Sequence, residues 1–148
     1  MKLQTASRLA LYAVLELAGH PERQISAGEI SRKYGISAHH LAKVLHALGR
    51  AGHVRAVRGA SGGYVYAGNA KRTTLRDIIE LFESLDDRHG PGEPGAETPV
   101  GEALDEVLGE TNAIIGATFN SITLATILKQ IAAAAPDIDA GTGQPDAR

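Results

Sequence analysis

The chain has 148 residues, 43% of them hydrophobic and only 4% aromatic, and it contains neither cysteine nor tryptophan. This length suits one domain or a small domain with an appendage, and the aliphatic composition favours helix packing. Because cysteine is absent, disulfides, zinc sites with thiolate ligands and all-cysteine iron–sulfur sites are excluded. Arg8 and Glu16 interrupt the first apolar stretch, and no apolar run approaches the roughly 20 residues that span a membrane. We therefore expect a folded cytoplasmic protein with no membrane partner.

Charge is divided unevenly along the chain. Residues 1–85 hold 12 of the 15 Lys and Arg residues but only 6 of the 17 Asp and Glu residues, although the net charge is only −2. A basic half beside an acidic half suggests a face that binds nucleic acid and a second part that avoids it. Chance segregation of solvated charges is the alternative explanation.

Two helices are predicted near the start of the chain. A broad apolar face covers residues 5–18. After a loop, Ser26 and Glu29 form the pattern of a capping box for a second helix, which ends at Gly35. A third helix is expected close behind, because only a short turn separates Gly35 from the next apolar repeat.

The third helix is predicted over residues 38–51, with Ser37 as its cap. Apolar residues repeat at helical spacing along one face, and polar residues occupy the opposite face. Two short helices joined by a tight turn are typical of a helix-turn-helix, whose second helix enters the major groove of DNA. The polar face of this helix carries His39, His40, Lys43, His46 and Arg50.

A short β-hairpin follows. Residues 53–58 alternate polar and apolar, residues 59–63 are rich in glycine, and residues 64–67 form the returning strand. A helix-turn-helix followed by a basic hairpin is a winged helix-turn-helix. The expected fold is therefore mainly α with a small β-hairpin wing, joined to a long C-terminal dimerisation helix.

The third helix and the wing form the predicted DNA-binding surface. Their donors suit base edges and phosphates, and the wing glycines are expected to permit positive φ and close approach to the DNA backbone. Arg58 is placed to enter a narrow minor groove. The predicted DNA-binding residues are Ser37, His39, His40, Lys43, His46, Arg50, Arg55, Arg58, Gly59, Ser61, Gly62 and Gly63, with Lys71, Arg72 and Arg76 as further phosphate contacts.

No catalytic site is predicted, and the chain is not expected to be an enzyme. Ser61 lies in a G-A-S-G-G turn, but at a hairpin tip rather than the strand-to-helix turn that a nucleophile elbow needs. His39 and His40 point about 100° apart on a helix and form a poor chelate. His89 lies among acidic residues and is a weak candidate for a metal ligand, with a simple polar loop as the alternative.

The chain divides into four predicted regions. Residues 1–85 form the winged helix-turn-helix, including a fourth helix over residues 75–84. Residues 86–98 are rich in Gly and Pro and are expected to form a flexible loop. Residues 99–133 form the dimerisation helix and a short C-terminal helix, and residues 134–148 are expected to be a disordered tail.

A heptad pattern marks the predicted dimerisation helix. Its apolar residues recur in alternating steps of four and three, with Val107 and Ile114 widening the seam. Two interpretations of the seam are open: it packs on its own domain, or it pairs with a second copy of the chain. Its length favours a two-fold dimer with recognition helices in successive major grooves. The seam residues are Leu104, Leu108, Thr111, Ile115, Thr118 and Ile122.

Several motifs give the chain a resemblance to a known family. They include M-K-L-x-T at the start, I-S-x-x-E-I-S and G-I-S-x-x-x-L-x-K-V-L in the helix-turn-helix, and V-R-G-A-S-G-G-Y over residues 57–64. With S-I-T-L-A-T-I-L over residues 121–128, they make the chain similar to the Rrf2 family of bacterial winged-helix transcription regulators across about residues 1–128. That family includes an iron–sulfur cluster regulator, a nitric-oxide-sensitive repressor and a cysteine-metabolism repressor.

The resemblance implies a DNA-binding role but not the cluster of the sensing members. Three cysteine positions of those members fall near Asp87, Gly92 and Thr98, and an acidic ligand position falls on Arg8. The chain thus resembles the cysteine-less branch, and no cofactor is expected. Constitutive DNA binding, a small-molecule or metal effector, and a protein effector all stay open.

Together these features predict a homodimeric transcriptional regulator of the repressor type that binds an inverted-repeat operator in double-stranded DNA. The alternative is a protein-interaction module that uses the winged helix as a docking surface.

Overall fold

A computed structural model describes residues 1–86 and 92–135. The candidate metal ligand His89 and residues 136–148 of the predicted tail lie outside these ranges, while residue 134, predicted to begin that tail, is the last residue of a helix. The fold is mainly helical with one small antiparallel hairpin, which confirms the expected fold class. Its elements in chain order are α1 (Thr5–Gly19), α2 (Ala27–Tyr34), α3 (Ala38–Arg50), β1 (Val54–Val57), β2 (Gly63–Tyr66), α4 (Leu75–Ile79), α5 (Pro99–Ser121) and α6 (Leu124–Ala134).

Helix α1 is the centre of the core. It contacts α2, α3, α4, β2 and α6, so its apolar residues face several partners rather than one. Small side chains such as Ala10 and Ala13 let these neighbours approach closely, while Leu17 fills the space between them. The other large apolar side chains that are fully buried are Val14, Ile25, Ile30, Leu41, Leu45, Leu48, Ile78, Ile79 and Leu124.

The turn between α2 and α3 is fixed by local hydrogen bonds. Gly35 adopts φ +63°, a conformation that glycine reaches without steric cost. The Ser31 hydroxyl donates to the Ile36 carbonyl at 2.6 Å, and the Ile36 N–H donates to the Ser31 carbonyl at 3.0 Å. These contacts set the angle at which α3 leaves α2.

The capping box predicted for α2 forms only in half. The Ser26 hydroxyl accepts from the Glu29 N–H at 3.1 Å, as expected. The Glu29 carboxylate instead pairs with Arg23 at 2.8 Å, because this guanidinium is a stronger partner than the Ser26 N–H. A complete capping box occurs at α4, between Thr74 and Asp77.

The hairpin is tied to the start of the helix-turn-helix. In its register Val54 faces Tyr66 and Val57 faces Gly63. The Ile25 N–H donates to the Tyr64 carbonyl at 3.0 Å, and the Tyr64 N–H donates to the Ile25 carbonyl at 2.8 Å. This bridge holds the wing against the segment that enters α2.

Helix α4 is shorter than the predicted residues 75–84. It ends at Ile79, and the chain continues in tight turns with three-residue hydrogen bonds from Leu81 to Ile78 and from Phe82 to Ile79. This tighter winding keeps Phe82 against the core and buries Leu85. The apolar residues after Ile79 that suggested a longer helix therefore lie in turns that pack against the core.

The C-terminal helices α5 and α6 pack through backbone hydrogen bonds on the winged helix-turn-helix of residues 1–85, which we call the head. Thr98 caps α5 by accepting from the Gly101 N–H at 3.1 Å. Past the end of α5, the Ile122 carbonyl accepts from the Leu75 N–H at 2.9 Å, and the Leu124 N–H donates to the Thr73 carbonyl at 2.9 Å. The start of α4 and the junction of α5 with α6 therefore form one packed unit.

Gly63 gives a test of the bridge between the wing and α2. A Cβ at this position would lie 2.8 Å from the Ile25 carbonyl oxygen, which is backbone and cannot rotate away. We expect Gly63→Ala to lower the free energy of unfolding by about 1–3 kcal/mol, measured by urea denaturation. The matched control is Gly49→Ala in α3, where the nearest atom lies at 3.8 Å and a gain of about 0.5–1 kcal/mol is expected. Equal stability of Gly63→Ala and the parent would contradict this account of the bridge.

Candidate nucleic-acid interface

Helix α3 presents its polar face to solvent. The buried face is anchored in the core by Leu41, Val44, Leu45 and Leu48. Because these residues fix the rotation of the helix, its other side is held outward. All the predicted contact residues of this element are exposed: Ser37, His39, His40, Lys43, His46 and Arg50.

Two details of α3 refine the predicted roles. Ser37 occupies the N-cap position but its side chain makes no cap hydrogen bond, so the prediction that this hydroxyl caps α3 is wrong. The rings of His39 and His40 lie 6.2 Å apart and are tilted by 44°. Among the described residues, no group of three or more His, Asp or Glu side chains could hold a metal ion.

The wing carries its arginines on the exposed side of the hairpin. Arg55 lies in β1, paired in register with Val65, and Arg58 directly follows β1. Arg55, Arg58, Gly59 and Ser61 are exposed. A glycine at position 59 is required by the backbone, because its φ of +126° is rarely adopted by other residues.

Gly62 and Gly63 have a different role from the predicted one. Neither has a positive φ, and both are half-buried. A Cβ on Gly62 would lie 2.6 Å from the Val57 carbonyl oxygen, and one on Gly63 would meet Ile25. These glycines allow close approach within the protein, so the expectation of positive φ at these two positions is corrected.

The predicted phosphate contacts separate into two groups. Lys71 and Arg72 are exposed on the turn after β2. Arg76 instead pairs with Glu80 and Asp86, both at 2.8 Å, and its guanidinium lies against Gly116 of α5. The guanidinium of Arg76 therefore packs between α4 and α5. Because two carboxylates already satisfy its charge, we no longer expect Arg76 to contact a DNA phosphate.

A polar cluster that the sequence analysis missed fixes α2 against α1. The Glu16 side chain is only 10% exposed and accepts from Lys33 Nζ at 2.8 Å and from the Tyr34 hydroxyl. Tyr34 also stacks on Tyr12, with ring centroids 5.2 Å apart. Lys33 and Tyr34 are 17 and 18 residues from Glu16 in sequence, so no local sequence pattern predicts these contacts.

Electrostatics favour the charged form of this cluster. Burial raises the pKa of the Glu16 carboxyl, but hydrogen bonds from Lys33 and Tyr34 and the charge of Lys33 outweigh burial and hold that pKa below its usual range. Burial and the Glu16 carboxylate raise the pKa of Tyr34, so its hydroxyl stays protonated and donates. The end of α2, and with it the start of the turn into α3, is thereby pinned to α1.

Helix α5 exposes an apolar stripe whose register differs slightly from the predicted seam. Leu104, Leu108, Thr111 and Thr118 are exposed as expected. Ile115 is half-buried, and Ile122 is half-buried past the end of the helix in extended backbone, so these two lie at the edge of the exposed surface. The exposed side of the helix carries what we call the α5 stripe: Val100, Leu104, Val107, Leu108, Thr111, Ile114 and Thr118. The part that the predicted seam residues play in dimerisation stays a prediction.

Comparison with known proteins identifies the chain's family. The family model described as "Rrf2: Iron-dependent Transcriptional regulator" matches residues 3–130. The chain belongs to the Rrf2 family. It is 48% identical over 133 residues to the HTH-type transcriptional regulator BadM of Rhodopseudomonas palustris, covering 88% of this chain and 83% of that protein.

Solved Rrf2 structures show the same fold. CymR, described as the global cysteine regulator of B. subtilis, is 27% identical with a TM-score of 0.72, covering 88% of this chain and 98% of that one. The IscR of T. potens is 29% identical with a TM-score of 0.68, covering 88% of both chains. These relatives are transcriptional regulators rather than enzymes, and the chain is a DNA-binding regulator of the Rrf2 family.

One further finding concerns membranes. Within residues 1–86 and 92–135, no helix combines the length and apolar character that crossing a bilayer requires.

The Glu16 cluster predicts a pH-dependent stability difference. Because the pKa of Glu16 is lowered in the folded state, the Glu16 carboxylate stabilises the fold at pH values above the usual glutamate pKa. This stabilisation is lost as the pH falls through the pKa of the folded state. We expect Glu16→Gln to destabilise the protein by roughly 1–2 kcal/mol at neutral pH, a range that allows for solvent screening of Lys33.

The difference in the free energy of unfolding between Glu16→Gln and the parent should shrink as the pH falls below the usual pKa range of glutamate. Urea denaturation at a series of pH values measures this difference. Glu22→Gln, on an exposed loop residue, is the control and should track the parent throughout. A pH-independent gap for Glu16→Gln would show that the carboxylate charge is unimportant.

Proposed function

We propose that this protein is a homodimeric repressor that binds an inverted-repeat operator and works without an iron–sulfur cluster. The observation that carries the proposal is the polar face of α3, held outward by four buried apolar residues and flanked by an arginine-bearing wing. This arrangement suits a recognition helix in the major groove and a wing against the flanking backbone. Repression follows physically where such an operator overlaps the site of RNA polymerase binding.

Contacts in the proposed complex divide by chemistry. His39, Lys43, His46 and Arg50 follow one another at steps of four, three and four along α3, so they share one stripe that suits base edges and phosphates. Arg58, at the start of the wing loop, is positioned for a narrow minor groove, where negative potential attracts guanidinium. Lys71 and Arg72 supply phosphate contacts that set the register on the duplex.

Dimerisation is supported by the α5 stripe. Val100, Leu104, Val107 and Ile114 are 70%, 55%, 60% and 69% exposed, which is unusual for large apolar residues on one helix face. The helix has 23 residues and is therefore about 35 Å long. Pairing two such stripes about a two-fold axis removes this surface from water and places two recognition helices on one side of the DNA.

The proposal excludes a thiolate-bound cluster because the chain has no cysteine. Of the positions that match cysteines in sensing relatives, Thr98 has a structural role here as the cap of α5. Arg8, at the position of an acidic ligand, is exposed on α1. A signal must therefore act through another ligand or a protein partner.

The operator can be found by selecting random duplex DNA with the purified protein and sequencing the bound fraction. We expect enrichment of an inverted repeat whose half-sites lie one or two helical turns apart. Failure of an intact dimer to enrich any sequence at low salt would contradict autonomous operator binding and favour docking of the winged helix to a protein.

On the selected operator, Arg58→Ala should weaken binding by about 1–3 kcal/mol if its guanidinium contacts a base edge. Fluorescence anisotropy with labelled operator measures this change. Lys129→Ala removes one positive charge from the exposed surface of α6 and is the matched control, with little effect expected. Equal effects of the two variants would remove Arg58 from the specific contacts.

Neighbouring residues on α5 provide a matched test of dimerisation. Ile114 lies on the α5 stripe, whereas exposed Ala113 lies outside it, beside Glu106 and Glu110. Ile114→Glu should shift the protein to monomers because it buries a charge in the proposed interface, while Ala113→Glu should remain dimeric. Sedimentation velocity over a dilution series measures both. A dimeric Ile114→Glu variant would refute the stripe as the interface.

A further inference from the structure

A cleft lies between the first turns of α1 and α3, next to the predicted DNA-binding face. Its volume is about 290 Å³. Its apolar lining comes from α1, α3 and the turn after α4, and it opens beside two basic side chains of the recognition helix. The lining residues are Thr5, Ala6, Leu9, His40, Lys43, Val44 and Phe82.

The lining is hydrophobic in its interior and cationic at its rim. Ala6, Leu9 and Phe82 are only partly buried against the core, and Val44 is 3% exposed. Lys43 and His40 are exposed at the rim and form no ion pair within the part of the chain that the structure describes. An apolar body with an adjacent negative charge matches this distribution.

The carboxylate of Glu83, next to the lining residue Phe82 in the chain, makes two hydrogen bonds at the start of α1. Glu83 follows Phe82 and accepts from the Gln4 N–H at 2.8 Å and from the buried Ser7 hydroxyl, so it satisfies the start of α1. Lys43 and His40 lie at the rim, where they are the side chains available to pair with an anion. A large multiply charged ligand is disfavoured because most of the lining cannot solvate charge.

We propose that this cleft is an effector site for a small organic monocarboxylate with an apolar body, whose carboxylate binds Lys43 and His40. The proposal rests on the proposed function, because Lys43 is also a predicted DNA contact. A bound carboxylate competes with phosphate for the same ammonium group and adds negative charge near the DNA backbone. Ligand and operator therefore oppose each other without any change of fold.

Thermodynamic linkage makes the competition reciprocal. If the ligand lowers operator affinity by some factor, operator must lower ligand affinity by the same factor. Couplings of this kind usually lie at about 5- to 150-fold. Because one phosphate contact is lost per protomer, the ligand should also reduce the salt dependence of operator binding by about one ion per protomer.

Cinnamate and its neutral amide, cinnamamide, provide a matched pair of probes with the same apolar body. Titration of the full chain without DNA, followed by amide NMR, should show cinnamate shifting signals of Thr5, Ala6, Leu9 and Val44 with Kd of about 1 mM or lower. Cinnamamide should bind at least several-fold more weakly. Equal binding of the two probes, or no shifts around the cleft, would overturn the site.

Variants separate the site from general surface binding. Ala6→Leu fills the cleft and should abolish cinnamate binding, and Thr5→Leu narrows its rim if Ala6→Leu does not fold. Lys43→Gln should remove the preference for cinnamate over cinnamamide, whereas Lys129→Gln on α6 should keep it. Retained binding in a folded cleft-filling variant would place the probe elsewhere and refute the proposal.

Operator binding supplies the second readout. Saturating cinnamate should lower the operator affinity of the parent about 5-fold or more. The Ala6→Leu or Thr5→Leu variant should bind operator with the affinity of the parent, and cinnamate should not change that affinity. Cleft binding without any effect on operator affinity would refute the effector role. If no operator exists, DNA binding fails while the NMR titration still decides whether the cleft binds the carboxylate, so the two failures are distinguishable.

Discussion

The backbone bridge between Ile25 and Tyr64 is the constraint on which the geometry of the DNA-binding face depends. It joins the entrance of α2 to the second strand of the wing, two segments about forty residues apart. Without it the hairpin would be an isolated two-stranded element, which is marginally stable in water. With it, the wing and the helix-turn-helix share one hydrogen-bonded junction. The bridge requires Gly63, because a Cβ there would collide with the Ile25 carbonyl. Gly63 was predicted to contact DNA, but its structural role is to let the wing pack against the start of α2 and so form the predicted DNA-binding surface.

A second layer of interactions fixes the recognition helix from behind. Helix α1 is buried against α2, α3 and α4, so it acts as the common support for the head. Glu16 adds a directional restraint, since its carboxylate receives hydrogen bonds from both Lys33 and Tyr34 at the end of α2. Apolar packing alone tolerates sliding between helices, whereas these bonds have one favourable geometry. The position of α3 therefore depends on residues outside the predicted DNA-binding set.

Local patterns in the sequence were sufficient for much of this fold. The cap of α2 at Ser26, its stop at Gly35 and the start of α5 at Pro99 all follow from interactions within a few residues. The predicted alternation of the first wing strand is not matched by burial, because Arg55 and Ala56 are both exposed. The errors arose where distant residues decide the outcome. Arg76 was predicted to be a free phosphate contact because no local pattern indicates that Asp86 pairs with it. The exposure of the predicted contact residues on α3 followed from the helical spacing of its apolar residues. The roles of these residues and of the wing residues in DNA binding stay predictions.

The head is joined to α5 and α6 in a way that limits how a signal could pass between them. Thr73 and Leu75 bond directly to the junction of α5 with α6, and Arg76 lies against Gly116 at the middle of the long helix. Such short contacts leave little freedom for α5 to rotate independently of α4. In the proposed dimer, the spacing of the two recognition helices is therefore fixed by the pairing of the α5 stripes. A ligand that acts by changing this spacing would have to disturb several backbone hydrogen bonds at once. A ligand in the cleft between α1 and α3 avoids that cost, because it acts on Lys43 at the DNA surface itself. The architecture thus favours local competition over a long-range conformational change as the means of control.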